Sequence, residues 1–125
     1  MFQLSAGRFQ KQLSISQIII AEIKTDNNKI LFMYSVKGKL NNSVVNIALV
    51  QNKVTTAIKA GENNGVTLTN YNVVRNFKTI SSIAAEKNES TIDMVSGIDK
   101  KDFSIILYLQ DVSSNKIYAA AKSSL

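Results

Sequence analysis

The sequence predicts an all-β fold, an antiparallel immunoglobulin-like β-sandwich. Three observations predict it. Apolar residues alternate with a period of two along most of the chain. The alternating runs are short and are separated by clusters of Gly, Asn, Asp and Ser. There is no proline, against about 5% in ordinary proteins, so every turn must come from those same residues. The spacing of runs and turns predicts roughly seven to nine strands.

The first strand is expected to carry Ile15, Gln17, Ile19, Ala21 and Ile23 on one face. Ile18, Ile20 and Glu22 fall on the other, which suggests cover on both sides. Asp26-Asn27-Asn28 is a turn signal. Ile30, Phe32, Tyr34 and Val36 then define a second strand with one apolar face. After a turn at residues 38–42, Val45, Ile47 and Leu49 alternate with Val44, Asn46 and Ala48. Gln51-Asn52 reads as the entry to a separate fourth strand at residues 54–60.

The loop at residues 61–65 holds two Gly and two Asn, which tolerate positive φ. Residues 68–80 read as extended, with Tyr71, Val73, Arg75 and Phe77 on one side. Residues 81–87 fit either one helical turn or a short strand. A short strand is expected at residues 90–95 and a polar loop at 97–102. Phe103, Ile105, Leu107 and Leu109 give the clearest alternation in the chain. A turn at residues 111–115 leads into the last strand, with Ile117, Ala119 and Ala121. No linker divides the chain, so residues 1–125 are read as one β-sandwich domain.

Composition narrows function more than it names it. The chain has no cysteine, which removes disulfides and thiol chemistry. It has no histidine, which removes the commonest general base and metal ligand, and with it any Ser-His-Asp arrangement. The nine acidic residues are scattered, and no pair stands out for glycoside chemistry. The expectation is therefore a protein that is not an enzyme and takes no cofactor and no metal. The net charge of +6 comes from 13 Lys and two Arg, placed singly except at Lys100-Lys101. Such scatter reads as a solvated surface rather than a nucleic-acid interface, which clusters its cations with exposed aromatics. Apolar runs such as residues 18–21 fall far short of the ~20 residues of a membrane span, and the N-terminus lacks the layout of a signal peptide.

One stretch carries a family likeness. Gly61-Glu62-Asn63, then Gly65, Leu68 and Asn72-Val73-Val74-Arg75, resembles a motif in a bacterial family of exported proteins of unknown function. The closing strands Leu107-Tyr108-Leu109-Gln110-Asp111 and Ile117-Tyr118-Ala119-Ala120-Ala121 share the likeness. Members of that family carry a thioredoxin-like domain first and a β-rich domain second. The family often has a histidine just before the Asn-Val-Val-Arg stretch, where this chain has Asn70 and Tyr71. The resemblance implies a C-terminal accessory module of a longer exported, periplasmic protein, with a thioredoxin-like domain as the partner absent from this chain. The alternative is a stand-alone protein-, peptide- or glycan-binding module at the bacterial cell envelope. Apolar surface and open sheet edges would make a weak homodimer possible in either case.

The candidate site residues are those of the motif: Gly61, Glu62, Asn63, Gly65, Asn72 and Arg75. The loop could present backbone amides to an anion, although a plain hairpin loop is the simpler reading. Glu62 and Arg75 are its two charged members and could pair, pinning the loop to the following strand. Tyr71, Phe77 and Tyr108 could form an exposed aromatic binding surface, but aromatics on alternating strands are more often core, and core is the expectation. Asp99 and Asp102 lack the dense oxygen spacing of a calcium loop and are read as solvated.

Overall fold

A computed structural model describes residues 15–38, 40–58, 61, 65–84, 86–95, 97 and 99–125. Within them lie seven strands: β1 (Gln17–Asp26), β2 (Lys29–Lys37), β3 (Ser43–Ala57), β4 (Thr67–Ile80), β5 (Asn88–Asp93), β6 (Phe103–Asp111) and β7 (Ile117–Ser124). They form two antiparallel sheets, one ordered β1-β2-β5 and the other β4-β3-β6-β7. The fourth strand pairs with the third and not with the fifth. That places it on the sheet that is three-stranded in constant-type immunoglobulin domains. The predicted all-β sandwich is what the chain forms.

The core lies between the inner faces. Ile18, Ile30, Phe32, Tyr34, Val36 and Ile92 face it from the smaller sheet. Val45, Ile47, Leu49, Phe103, Ile105, Leu107 and Leu109 face it from the larger. The clean alternation of β2 and β6 therefore predicts their buried residues correctly, because a single covered face leaves a period of two in the sequence.

The β1–β2 turn uses Asn27 and Asn28 at φ 45° and 65°. Positive φ at both central residues matches the right-handed twist of the strands, and Asn reaches that region at low cost. Gly38, after β2, has φ +109°, and a Cβ there would lie 2.6 Å from the Ser16 Cα. Only glycine fits both its conformation and its neighbour.

Four expectations change. β1 is covered on one side only: Ile18 is buried and Ile20 and Ile23 pack against the core, while Ile15 and Ile19 are exposed. A bulge between Ala21 and Lys24, with Glu22 at φ 50°, shifts the phase and brings both Ile20 and Ile23 inward. Gln51-Asn52 is not a strand break; β3 runs straight through it. Gln51 pairs with Phe103, and the Ser104 hydroxyl donates to Asn52 Oδ1 at 2.7 Å, so both residues stay extended.

A second bulge inserts Arg75 where Leu49 and Val50 face Asn76 and Val74. Phe77 therefore pairs with Ala48 on the outer face, whereas Val73 pairs with Gln51 on the inner side. They do not share a face as the sequence pattern implied. Residues 81–84 form neither helix nor strand. Instead the Asn88 side chain accepts from Ala84 N at 2.8 Å and donates to Ala84 O at 2.9 Å, closing a ring that leads into β5.

The two sheets meet at both sides. β1 packs edge to edge with β7, and β4 lies beside β5. At the second junction Asn76 Nδ2 donates to Asp93 O at 3.0 Å and Lys78 Nζ donates to Thr91 O at 3.0 Å. These side chains satisfy carbonyls on the open edge of β5 that have no strand partner. No helix among the described residues is long and apolar enough to cross a membrane.

Candidate functional site: the outer face and the projecting ribbon

β3 pairs with β6 only as far as Gln51. Beyond it, residues 53–57 pair with residues 67–71 alone, as a two-stranded ribbon about 17 Å long at the usual rise per residue. Backbone bonds continue the ribbon past its last paired residues. Ile58 N donates to Val66 O and Gly65 N to Ile58 O, both at 2.8 Å. Gly61 and Gly65 have φ +84° and +87°, the turn role expected of them. Glu62 and Asn63 lie outside the described residues.

Asn72 and Arg75 sit on β4 and do separate work. Arg75, the bulged residue, donates through Nε and Nη2 to Gln51 Oε1 at 3.0 and 2.8 Å. The expected pairing with Glu62 involves a residue outside the described ones; the partner seen at Arg75 is Gln51. The bulge turns the guanidinium toward the neighbouring strand, where a neutral amide accepts both its N–H groups. Asn72, at φ 52°, accepts from Lys122 Nζ at 2.7 Å.

The outer face of the larger sheet is built in rows by the strand register. Thr79, Asn46, Tyr108 and Ala120 form one row. Phe77, Ala48, Ile106 and Lys122 form the next, then Val74, Val50, Ser104 and Ser124. Hydrogen bonds edge this surface. On one side Thr79 Oγ1 donates to Asn46 Oδ1 at 2.7 Å and Asn46 Nδ2 to Gln110 Oε1 at 2.9 Å. On the other lies the Ser104–Asn52 bond, while the Lys122–Asn72 bond crosses the face from β7 to β4. Between them runs an apolar band of Phe77, Val74, Ala48, Val50 and Ile106.

Ala48 and Val50 are buried beneath their neighbours, but Phe77 is 49% exposed and Val74 55%. Tyr71, on the ribbon, is 68% exposed. The core placement expected for Tyr71 and Phe77 is thus wrong. Their strand alternates, but among the described residues no third layer covers the outer face, and the smaller sheet does not reach the ribbon. Among the described residues, half of the ten exposed large hydrophobics lie on β4 or just before it: Val66, Leu68, Tyr71, Val74 and Phe77. Sequence reasoning singled out the motif and missed the band. The apolar side chains at residues 44, 48 and 106 on the off-core phase of strands 3 and 6 were the available signal.

The clefts elsewhere are polar or shallow. One of about 310 Å³ lies at the β4–β5 junction, lined by Lys29, Asn76, Lys78 and Asp93 among others. Lys29 Nζ bonds Asp93 Oδ1 at 2.7 Å. That hydrogen bond, with the lysine's charge, holds the Asp93 carboxyl below the usual range. This favours an ionised carboxylate, the opposite of what a general acid needs. Another cleft, of about 270 Å³, lies on the outer face of the smaller sheet between Ile19, Met33 and Glu86. Asp99 accepts from Lys101 N at 3.2 Å and caps a short 3-10 turn (Lys100–Asp102), a structural role. Among the described residues no three acidic groups converge as a metal ion would need.

Comparison with known proteins follows the fold. The family model described as "Protein of unknown function (DUF1223)" matches residues 5–110, and the chain belongs to that family. A domain of the outer membrane lipoprotein Omp28 from Porphyromonas gingivalis has a similar structure, with a TM-score of 0.56 at 17% identity. The alignment covers 90% of this chain and 96% of that domain, a likeness of fold. A β-glucosidase from Kluyveromyces marxianus aligns over 89% of this chain and 14% of its own, with a TM-score of 0.34 at 14% identity. No curated protein matches the chain.

Proposed function

We propose that this DUF1223 chain is a non-catalytic accessory β-sandwich that docks on a thioredoxin-like domain of an exported protein, through the outer face of its larger sheet. The observation that carries this reading is the apolar band around Phe77 and Val74, bounded by the Asn46 bonds on one side and the Ser104–Asn52 bond on the other. Exposed contiguous apolar surface rimmed by polar groups marks an interaction site.

The size of the band favours a tethered partner. The whole face of four strands and three rows spans about 400 Å², and the band is only part of it. Two such surfaces fall short of the roughly 1,200–2,000 Å² that free partners bury in a stable complex. A domain on the same polypeptide needs less, because the linker holds it at a high effective concentration. Contacts between domains of one chain are correspondingly smaller and more polar. The likeness between the motif around Gly61, Gly65, Asn72 and Arg75 and the exported two-domain family supports a thioredoxin-like partner. The Omp28 domain belongs to an outer membrane lipoprotein, which supports an envelope location.

The test places a photo-crosslinking amino acid at Phe77 in the protein as its source cell makes it. Crosslinks from Phe77 to a thioredoxin-like sequence, absent from a probe at Lys100, are expected. Equal labelling from both positions, or products from Phe77 that contain no such sequence, would overturn the reading.

A further inference from the structure

We propose that the open edge of β4 at residues 67–71 binds an acidic, extended peptide by strand addition. This site is separate from the outer-face band and does not rest on the docking reading.

Apart from the far side of the same ribbon on β3, which carries Lys53, the other sheet edges are defended. β1 carries the Glu22 bulge and packs against β7. β5 is six residues long, and its free carbonyls at Thr91 and Asp93 are occupied by Lys78 and Asn76. Within β4, residues 76 and 78 face β5, Arg75 is bulged and Asn72 has left-handed backbone. Each of these devices blocks an added strand. Residues 67–71 have none of them. They pair in regular register with residues 57–53 of β3, from Thr67↔Ala57 to Tyr71↔Lys53. They contain no charge, and Leu68 and Tyr71 are 48% and 68% exposed. Five regular residues match an ordinary strand length. An incoming strand would gain main-chain hydrogen bonds there and could rest side chains on Leu68 and on Tyr71, which project to opposite faces.

The charge distribution selects the peptide. The two strands that form the ribbon, β3 and β4, carry Lys53, Arg75 and Lys78 and no acid. Arg75 follows the open edge on the same strand, and the Lys53 ammonium lies 6.0 Å from the Tyr71 ring, one strand inward. A peptide with carboxylates flanking an alternating β-branched core complements this surface. A basic peptide, by contrast, would meet like charge.

The test uses two synthetic peptides, acetyl-Glu-Val-Thr-Val-Thr-Val-Glu-amide and its counterpart with Lys in place of both Glu, titrated into isotope-labelled protein. Amide shifts and exchange protection at residues 67–71 are expected with the acidic peptide. The basic peptide should bind about tenfold more weakly, and added salt should narrow that gap. Leu68→Glu should weaken acidic-peptide binding by about tenfold while leaving the thermal midpoint unchanged, since the side chain is half exposed. Equal affinity for both peptides would overturn the proposal, as would shifts confined to Phe77 and Ile106. So would changes at residues 67–71 on protein dilution alone, which would mean the edge pairs with a second copy. Binding to anionic phosphatidylglycerol vesicles without any response to either peptide would assign the charge to a membrane instead.

Discussion

Lys122 Nζ donates to Asn72 Oδ1 at 2.7 Å, although the two residues stand on opposite edge strands of the larger sheet. Three strand spacings in a flat sheet would separate them by roughly 14 Å. The Lys122 side chain therefore reaches across the outer face of the twisted sheet to Asn72, whose backbone is left-handed. The bond ties the free ribbon to the last strand. It is an exposed bond to a charged donor, so its loss should cost stability only modestly, about 1 kcal/mol. Lys122→Ala should instead speed hydrogen exchange throughout residues 53–57 and 67–71 while sparing the core amides of β6. Uniform acceleration over the whole chain, or none in the ribbon, would sink this role.

Asp111 is buried at the end of β6, where it organises the turn into β7. Its Oδ2 accepts from Ser114 N at 2.7 Å, Ser114 Oγ at 2.9 Å and Ser113 N at 3.1 Å. Replacing it with Ala leaves two backbone donors without their acceptor. Asp111→Ala should cost about 1–3 kcal/mol in urea unfolding. Asp111→Asn keeps one acceptor oxygen and should cost less. Equal losses from the two variants would show that charge, rather than the acceptor, matters.

The legible part of this fold is where one face is covered and the period is unbroken. Ile30, Phe32, Tyr34 and Val36 announce β2, and Phe103, Ile105, Leu107 and Leu109 announce β6, because burial on one side alone writes a period of two. The two bulges are not legible. Glu22 and Arg75 are not residues that mark a turn, and their conformations are set by strands paired over long range. Tyr71 and Phe77 misled for a related reason. Alternation reports that two faces differ, but which of them is covered depends on where the second sheet ends. Of the candidate site, Gly61 and Gly65 were readable as turn residues by chemistry. The Asn72–Lys122 tie spans 50 positions and has no local signal.

The pairing of Asn76 and Lys78 with the β5 carbonyls is a guard against association. Both side chains are replaceable without touching the core, so Asn76→Val with Lys78→Val should shift the thermal midpoint little. The double variant should sediment as concentration-dependent oligomers, because the six-residue edge of β5 would then offer unpaired carbonyls beside new apolar side chains. A double variant that stays monomeric at every concentration, with unchanged stability, would mean that the edge is shielded by geometry and not by these two residues.

Burial raises the Tyr34 phenol above its ordinary value of 10.0. Tyr34 packs against Phe32 with ring centroids 5.9 Å apart in the core, where a phenolate would lose its hydration. The sign of the pH effect follows from linkage. Below the unfolded-state value both states are protonated, and the contribution to stability is fully present. Above it the unfolded chain loses the proton while the folded chain keeps it, so stability falls as pH climbs through the folded value. Tyr34→Phe removes this group alone and leaves the other three tyrosines in place. The stability difference between wild type and Tyr34→Phe should be constant through neutral pH and should move against the wild type above about pH 10. A difference that stays flat to the alkaline limit of folding would show that the Tyr34 hydroxyl reaches water in the folded protein.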